Sequence, residues 1–102
     1  MKALSALFSA LALVLAAGAV QAKDIGPDEA LRLRDAGTIK NFEELNAAVL
    51  ARHPGGRLSD TELELEHGRY VYKMDVLDAQ GVEWDVRVDA ATGEIVRDRQ
   101  DH

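Results

Sequence analysis

From Leu58 onward, polar and apolar side chains alternate with a period of two through three consecutive runs. Thr61, Leu63 and Leu65 alternate with Glu62, Glu64 and Glu66. Tyr70, Tyr72, Met74 and Val76 alternate with Arg69, Val71, Lys73 and Asp75, and Val82, Trp84, Val86 and Val88 with Glu83, Asp85, Arg87 and Asp89. Successive strand residues point to opposite faces, so each run is a strand with one apolar and one wet side. Three in succession predict an antiparallel meander with a single buried face. A fourth short strand, Glu94–Arg97, is expected after Gly93.

The connections fit that reading. His67-Gly68 is a two-residue hairpin loop in which glycine supplies a positive φ. It sets Leu65 opposite Tyr70 and Leu63 opposite Tyr72 on the apolar face. On the wet face it sets Glu66 opposite Arg69 and Glu62 opposite Lys73. Asp78-Ala79-Gln80-Gly81 reads as a type I turn. Two registers satisfy the next hairpin. A three-residue loop pairs Val76 with Trp84 but opposes Asp75 to Asp85 and Lys73 to Arg87. A shift of two residues pairs Lys73 with Asp85 and Arg69 with Asp89 instead. Turn chemistry favours the first, and exposed ion pairs, each worth under about 1 kcal/mol, are a weak counterweight. Asp89–Gly93 forms the last turn, with Asp89 able to bond its own backbone.

Two helices precede the strands. Gly26-Pro27-Asp28-Glu29 opens a short one, because proline suits the first turn and acids favour the positive end of the helix dipole. Gly37 closes it. Asn41 caps the second, with Glu44 as a capping-box partner. Phe42, Leu45 and Val49, widened by Leu50, form its apolar stripe, and Pro54-Gly55-Gly56 stops it. It is expected over Phe42–His53, the longer of the two. The fold class is therefore α+β, with two N-terminal helices on one face of a three- to four-stranded antiparallel meander. Residues 99–102 read as a flexible tail, with fraying from about Asp98.

Ahead of the domain, Met1-Lys2 and the apolar run Ala3–Ala19 end in Val20-Gln21-Ala22, which has the form of a signal-peptidase site. The run is alanine-rich and short against the roughly 20 residues that span a bilayer. Residues 1–22 are therefore expected to be a cleaved signal peptide, cut between Ala22 and Lys23, leaving no stable membrane anchor. Residues 23–40 form an N-terminal segment with the short helix, and residues 41–98 the helix-and-sheet domain. The chain of 102 residues carries 12 basic and 18 acidic side chains and no cysteine. A disulfide scaffold and a cysteine-ligated zinc site are excluded. The acidic balance argues against nucleic acid and anionic lipid as partners. Export without cysteine fits a periplasmic or secreted protein.

The stretch from Leu58 to Val96 resembles the PepSY domain family. The residues that carry the resemblance are Leu63 and Leu65, Tyr70-Val71-Tyr72-Lys73-Met74-Asp75-Val76, Gly81, Trp84–Asp89 and Ala91-Thr92-Gly93-Glu94-Ile95-Val96. The resemblance implies a helix on an antiparallel sheet, usually outside the cytoplasm. Such domains occur in metallopeptidase propeptides and bacterial envelope proteins, and the family is proposed to regulate peptidases or to act in sensing. It brings no catalytic residues. Its shared positions, here Tyr72, Gly81, Asp89 and Gly93, are expected to serve the fold.

The residues offer little chemistry of their own. His53, His67 and His102 are not at metal-ligand spacing, and no cofactor or metal is expected. The carboxylates alternate onto a solvated face, and Ser59 and Thr61 lack a partnered base in sequence. Tyr70, Tyr72 and Trp84 share the inward parity of the core. The expected function is a non-enzymatic interaction or regulatory module acting on a separate peptidase or envelope sensor. Docking would use an edge strand, Leu58–Glu66 or Glu94–Arg97. The acidic row Glu62, Glu64 and Glu66 is the candidate face and would select a basic partner, or simply deter aggregation. Self-association through an edge is a further expectation. A small-ligand or cation-sensing domain is the alternative.

Overall fold

A computed structural model describes residues 22–101. The expected signal peptide (but for Ala22) and His102 lie outside the described residues. The elements in chain order are β1 (Lys23–Asp24), α1 (Pro27–Asp35), α2 (Phe42–Leu50), β2 (Arg57–Glu66), β3 (Arg69–Leu77), β4 (Glu83–Asp89) and β5 (Ile95–Gln100). The sheet is an antiparallel meander with strand order β1-β2-β3-β4-β5.

Each helix starts and stops where its residues require. Pro27 opens α1 with Asp28 and Glu29 in its first turn. Gly37, at φ 76°, closes it. There Thr38 N–H donates to the Leu33 carbonyl and Gly37 N–H to that of Arg34, the paired bonds of a Schellman ending. Asn41 caps α2, accepting the Glu43 N–H at 2.9 Å. The α2 helix is shorter than its sequence suggests, and both helices have nine residues. Beyond Leu50, Arg52 and His53 N–H groups bond back to Val49 and Leu50. This tighter i−3 winding takes over just ahead of Pro54, whose ring disfavours α geometry in the residue before it.

The expected hairpins form in the expected registers. Leu65 pairs with Tyr70, Leu63 with Tyr72, and Glu62 with Lys73. Val76 pairs with Trp84 and Asp75 with Asp85, so turn chemistry prevails over direct charge pairing. His67 and Gly68 both have positive φ (51° and 75°), the signature of a type I′ loop. A bulge at Ser59 lies between Leu58 and Asp60.

Strand number and extent depart from expectation. Lys23-Asp24 adds a fifth strand, too short to show a period. β5 runs to Gln100, with Asp85 opposite Arg99 and Trp84 opposite Gln100. Asp101 N–H still donates to the Glu83 carbonyl at 2.9 Å. Residues 98–100, read as part of a fraying tail, are therefore paired strand.

The core sits between α2 and the inner face of the sheet. Leu45 and Val49 are sealed against Met74, Val76, Val86 and Val88. Burial of such side chains stabilises by about 1.5–3 kcal/mol each. The Phe42 ring lies 5.3 Å from that of Tyr72. Ile25, Ala30, Ile39 and Ala90 complete the core from α1 and the connecting segments. Lys40 N–H, bonded to the Ala90 carbonyl, ties the α1–α2 connection to the end of β4.

Candidate functional site

The acidic row does not form an open edge. Because β1 follows directly on Ala22, Lys23 pairs with Leu65 and Asp24 with Glu64, and Ile25 N–H donates to the Leu63 carbonyl at 2.9 Å. The expectation that the whole of Leu58–Glu66 is an outer strand is corrected: its second half is covered. Among the described residues, Arg57–Glu62 has no strand beside it on that side.

Nor is the row one uncompensated patch. Lys73 reaches diagonally to Glu64 (3.0 Å) and Glu66 (3.8 Å) rather than straight across to Glu62. The Glu64 side chain is 9% exposed. Glu62 lies beside Asp24, and their hydrogen bond, reinforced by the charge of Asp24, raises the Glu62 carboxyl above its ordinary range. Asp24, Glu62 and Glu64 bring carboxylate oxygens within 4.8 Å of one another. Oxygen ligands of this kind suit hard cations. The Lys73 ammonium already stands against Glu64, so the group is an ion-paired cluster.

The other end of the sheet is basic. Arg97 and Arg99 project from β5 onto the wet face, opposite Arg87 and Asp85. Arg97 donates to Asp85 at 3.2 Å, and Arg87 lies 3.6 Å from the same carboxylate. A groove of about 400 Å³ runs between Arg69, Arg87 and Arg97, floored by Val71 and walled by the exposed Val96. On the helix side, a second groove of about 470 Å³ lies between α1 and the start of the sheet, lined by Ile25, Pro27, Phe42, Leu63 and Tyr72.

One polar network was not visible in the sequence. His53 donates from Nε2 to Asp98 (2.9 and 3.1 Å), and its ring packs 4.9 Å from that of Trp84. Trp84 Nε1–H in turn donates to Asp78 Oδ2 at 2.9 Å. The other oxygen of Asp78 accepts the Gln80 and Val82 N–H groups. The Trp84 hydrogen bond, with those backbone bonds and the proximity of His53, holds the Asp78 carboxyl below the usual range. His53 and Asp98 are 45 residues apart, so no local motif announces them. Strand parity gives no clue either, because alternation counted from Ile95 places Asp98 outward and only the irregularity at the start of β5 turns it inward.

The shared family positions lie at turns and in the core. Asp89 Oδ1 accepts the Ala91 and Thr92 N–H groups. Gly93, at φ 83°, donates to the Asp89 carbonyl at 2.7 Å. Gly81, at φ 82°, donates to that of Asp78. Tyr72 is buried under Phe42.

The family model described as the peptidase propeptide and YPEB domain, PepSY, matches residues 40–99. The chain belongs to the PepSY family. Comparison with curated proteins and with solved structures finds no match to either. The matched region comprises α2 and β2 to β5, so β1 and α1 lie outside it. Membership places the chain among peptidase-propeptide-like or regulatory modules, a class typical of exported proteins. No helix among the described residues is long and apolar enough to cross a membrane.

Proposed function

We propose that the protein is a non-enzymatic, exported regulatory module that takes an extended segment of a separate peptidase or envelope sensor onto the open edge of β5. The observation that carries this reading is that, among the described residues, β5 ends the sheet with one side unpaired along all six of its residues. Asp101 N–H points toward β4. By antiparallel alternation, the backbone groups of Asp98 and Gln100 point away from it, ready for another strand. This shifts the docking edge away from the covered half of the acidic row, where β1 pairs with Glu64 and Lys73 holds Glu64 and Glu66. It also reverses the charge preference, because Arg97 and Arg99 flank the edge.

In this reading Tyr72, Gly81, Asp89 and Gly93 hold the scaffold in shape. The cation-sensing alternative requires Lys73 to yield Glu64 to an ion. Export rests on the leader, and amino-terminal sequencing of the protein recovered from the cell envelope is expected to begin at Lys23.

The docking test is a photo-crosslinking residue at Val96, compared with one at Ala48 on α2, in intact cells. Val96 should yield a discrete adduct that disappears when Gln100→Pro removes an edge N–H. Equal labelling from both positions, or an adduct indifferent to the proline, refutes the reading.

A further inference from the structure

Among the described residues, besides the two-residue outer side of β1, the sheet has two longer open stretches of edge, at opposite ends and with opposite charge. One is Arg57–Glu62 of β2, whose wet-face residues beyond the bulge are Asp60 and Glu62. The other is β5, whose wet-face residues after its own irregularity are Arg97 and Arg99. We propose that these edges fit each other, so that β5 of one copy pairs antiparallel with the open half of β2 of a second copy, head to tail. This rests on the edge-docking reading above and names a second copy of this chain as one occupant of the β5 edge.

Three independent features select a single alignment. The first is direction: β2 and β5 run opposite ways within the sheet. A second copy placed beyond β5 with the same face outward therefore presents its β2 antiparallel to it. The second is hydrogen-bond phase. Ile25 N–H bonds to the Leu63 carbonyl, so by alternation Thr61 also turns its backbone outward. Asp98 and Gln100 do the same on β5. Setting Thr61 opposite Asp98 of the second copy makes a fully bonded pair with both side chains on the helix side. Thr61 N–H then exchanges its local bond to Asp60 Oδ1 (3.0 Å) for an interchain one. The third is charge. That same alignment puts Glu62 opposite Arg97 and Asp60 opposite Arg99.

Sliding the strands destroys the match in both directions. Moving Asp98 up to Leu63 collides with β1, which already holds the Leu63 carbonyl. Moving the other way, past the bulge at Ser59, brings Arg57 opposite Arg99. Twofold pairing of β5 with itself is also penalised, because its wet-face positions are both arginine, and like charges directly opposite repel. Unlike edges leave one donor and one acceptor edge exposed at the ends, so the association is open-ended rather than closed. It is also salt-sensitive.

The test uses the purified protein and two charge-reversed forms, R97E/R99E and D60R/E62R, with circular dichroism confirming that each is folded. Sedimentation velocity of the wild type should show mass increasing with protein concentration and falling with added salt. Each variant alone carries like-charged edges and should associate at least about tenfold more weakly. An equimolar mixture restores every pairing and should regain assembly. The chain has no cysteine, so oxidising E62C together with R97C should give a mixed disulfide that neither forms with itself.

A wild type that stays monomeric to its solubility limit overturns the proposal. So does assembly indifferent to the reversals, or a mixture that remains monomeric. An acidic peptide that binds β5 of a chain that never self-associates also overturns it, while leaving separate-partner docking intact. A Val96 adduct joining only two copies of this chain, with intact self-assembly, has the converse meaning.

Discussion

Asp78 shows how much one turn residue can carry. The sequence identifies it as the first residue of a type I turn, a role needing only a backbone-bonding side chain. In the structure one of its oxygens caps the loop and the other holds the Trp84 indole. The second task is invisible locally because it depends on the register that places Trp84 beside the loop. The hydrogen bond from Trp84 is the first cause of the lowered Asp78 pKa, and the sign of the pH effect follows. A carboxyl that ionises more readily in the folded chain stabilises it above its unfolded pKa, about 3.9. That contribution fades as pH falls through the lower folded value. Asp78→Asn is therefore expected to lower Tm at pH 7, with the deficit narrowing steadily below about pH 4. Thermal melts across pH 2.5–7, a window set about the unfolded value, check this. A deficit that stays constant over the range removes the ionised carboxylate from the explanation.

At the level of elements, legibility tracks the length and regularity of each pattern. β2, β3 and β4 declare themselves because period-two alternation persists over several residues with turn residues between. α2 is legible from its cap and stripe, but its end depends on how Pro54 tightens the last turn. β5 is legible only at its start. Its pairing shifts between Arg87 and Val88, and its inward residues Asp98 and Gln100 are polar, so its second half resembles a tail. What draws Asp98 inward is His53, at the exit of α2. This pair fastens the helical layer to the last strand, with side chains 9% and 16% exposed. A double-mutant cycle on His53→Ala and Asp98→Ala is expected to give a coupling of about 0.5–3 kcal/mol in urea unfolding. Truncation after Arg97 should destabilise the domain by more than a frayed tail would. An additive cycle and an unchanged midpoint on truncation contradict this role.

Across the whole molecule, the wet face shows why register and charge pairing disagree. Lys73, Arg87 and Arg97 stand in one row across three strands, and Asp60, Asp75 and Asp85 in the next. Like charges face each other at the centre of each row, opposite charges meet only at its ends (Glu62 with Lys73, Arg99 with Asp85), and the ion pairs run between rows. Arg97 and Arg87 both turn to Asp85, and Lys73 to Glu64. The sequence supports both alternatives because each strand considered alone is merely amphipathic. The row pattern emerges only once the turns have fixed the register. The acidic row is the strained part. Burial, then the charges of Asp60, Asp101 and Asp85, raise the Asp75 carboxyl above its ordinary range. The linkage is opposite to that of Asp78. A raised folded pKa contributes stability that is fully present below the unfolded value of about 3.9 and is lost as pH rises through the folded value. At neutral pH the ionised Asp75 therefore opposes folding in a chain already at a formal charge of −6. Asp75→Asn should raise Tm at pH 7, and the gain should shrink both below about pH 4 and with added salt, which screens the repelling carboxylates. A decrease in Tm at pH 7 would assign Asp75 a structural bond that outweighs its neighbours' repulsion. The two substitutions together make a stringent check. Asp78→Asn and Asp75→Asn alter the same charge by the same amount on one small sheet, so opposite signs at pH 7 can arise only from their local environments and not from net charge.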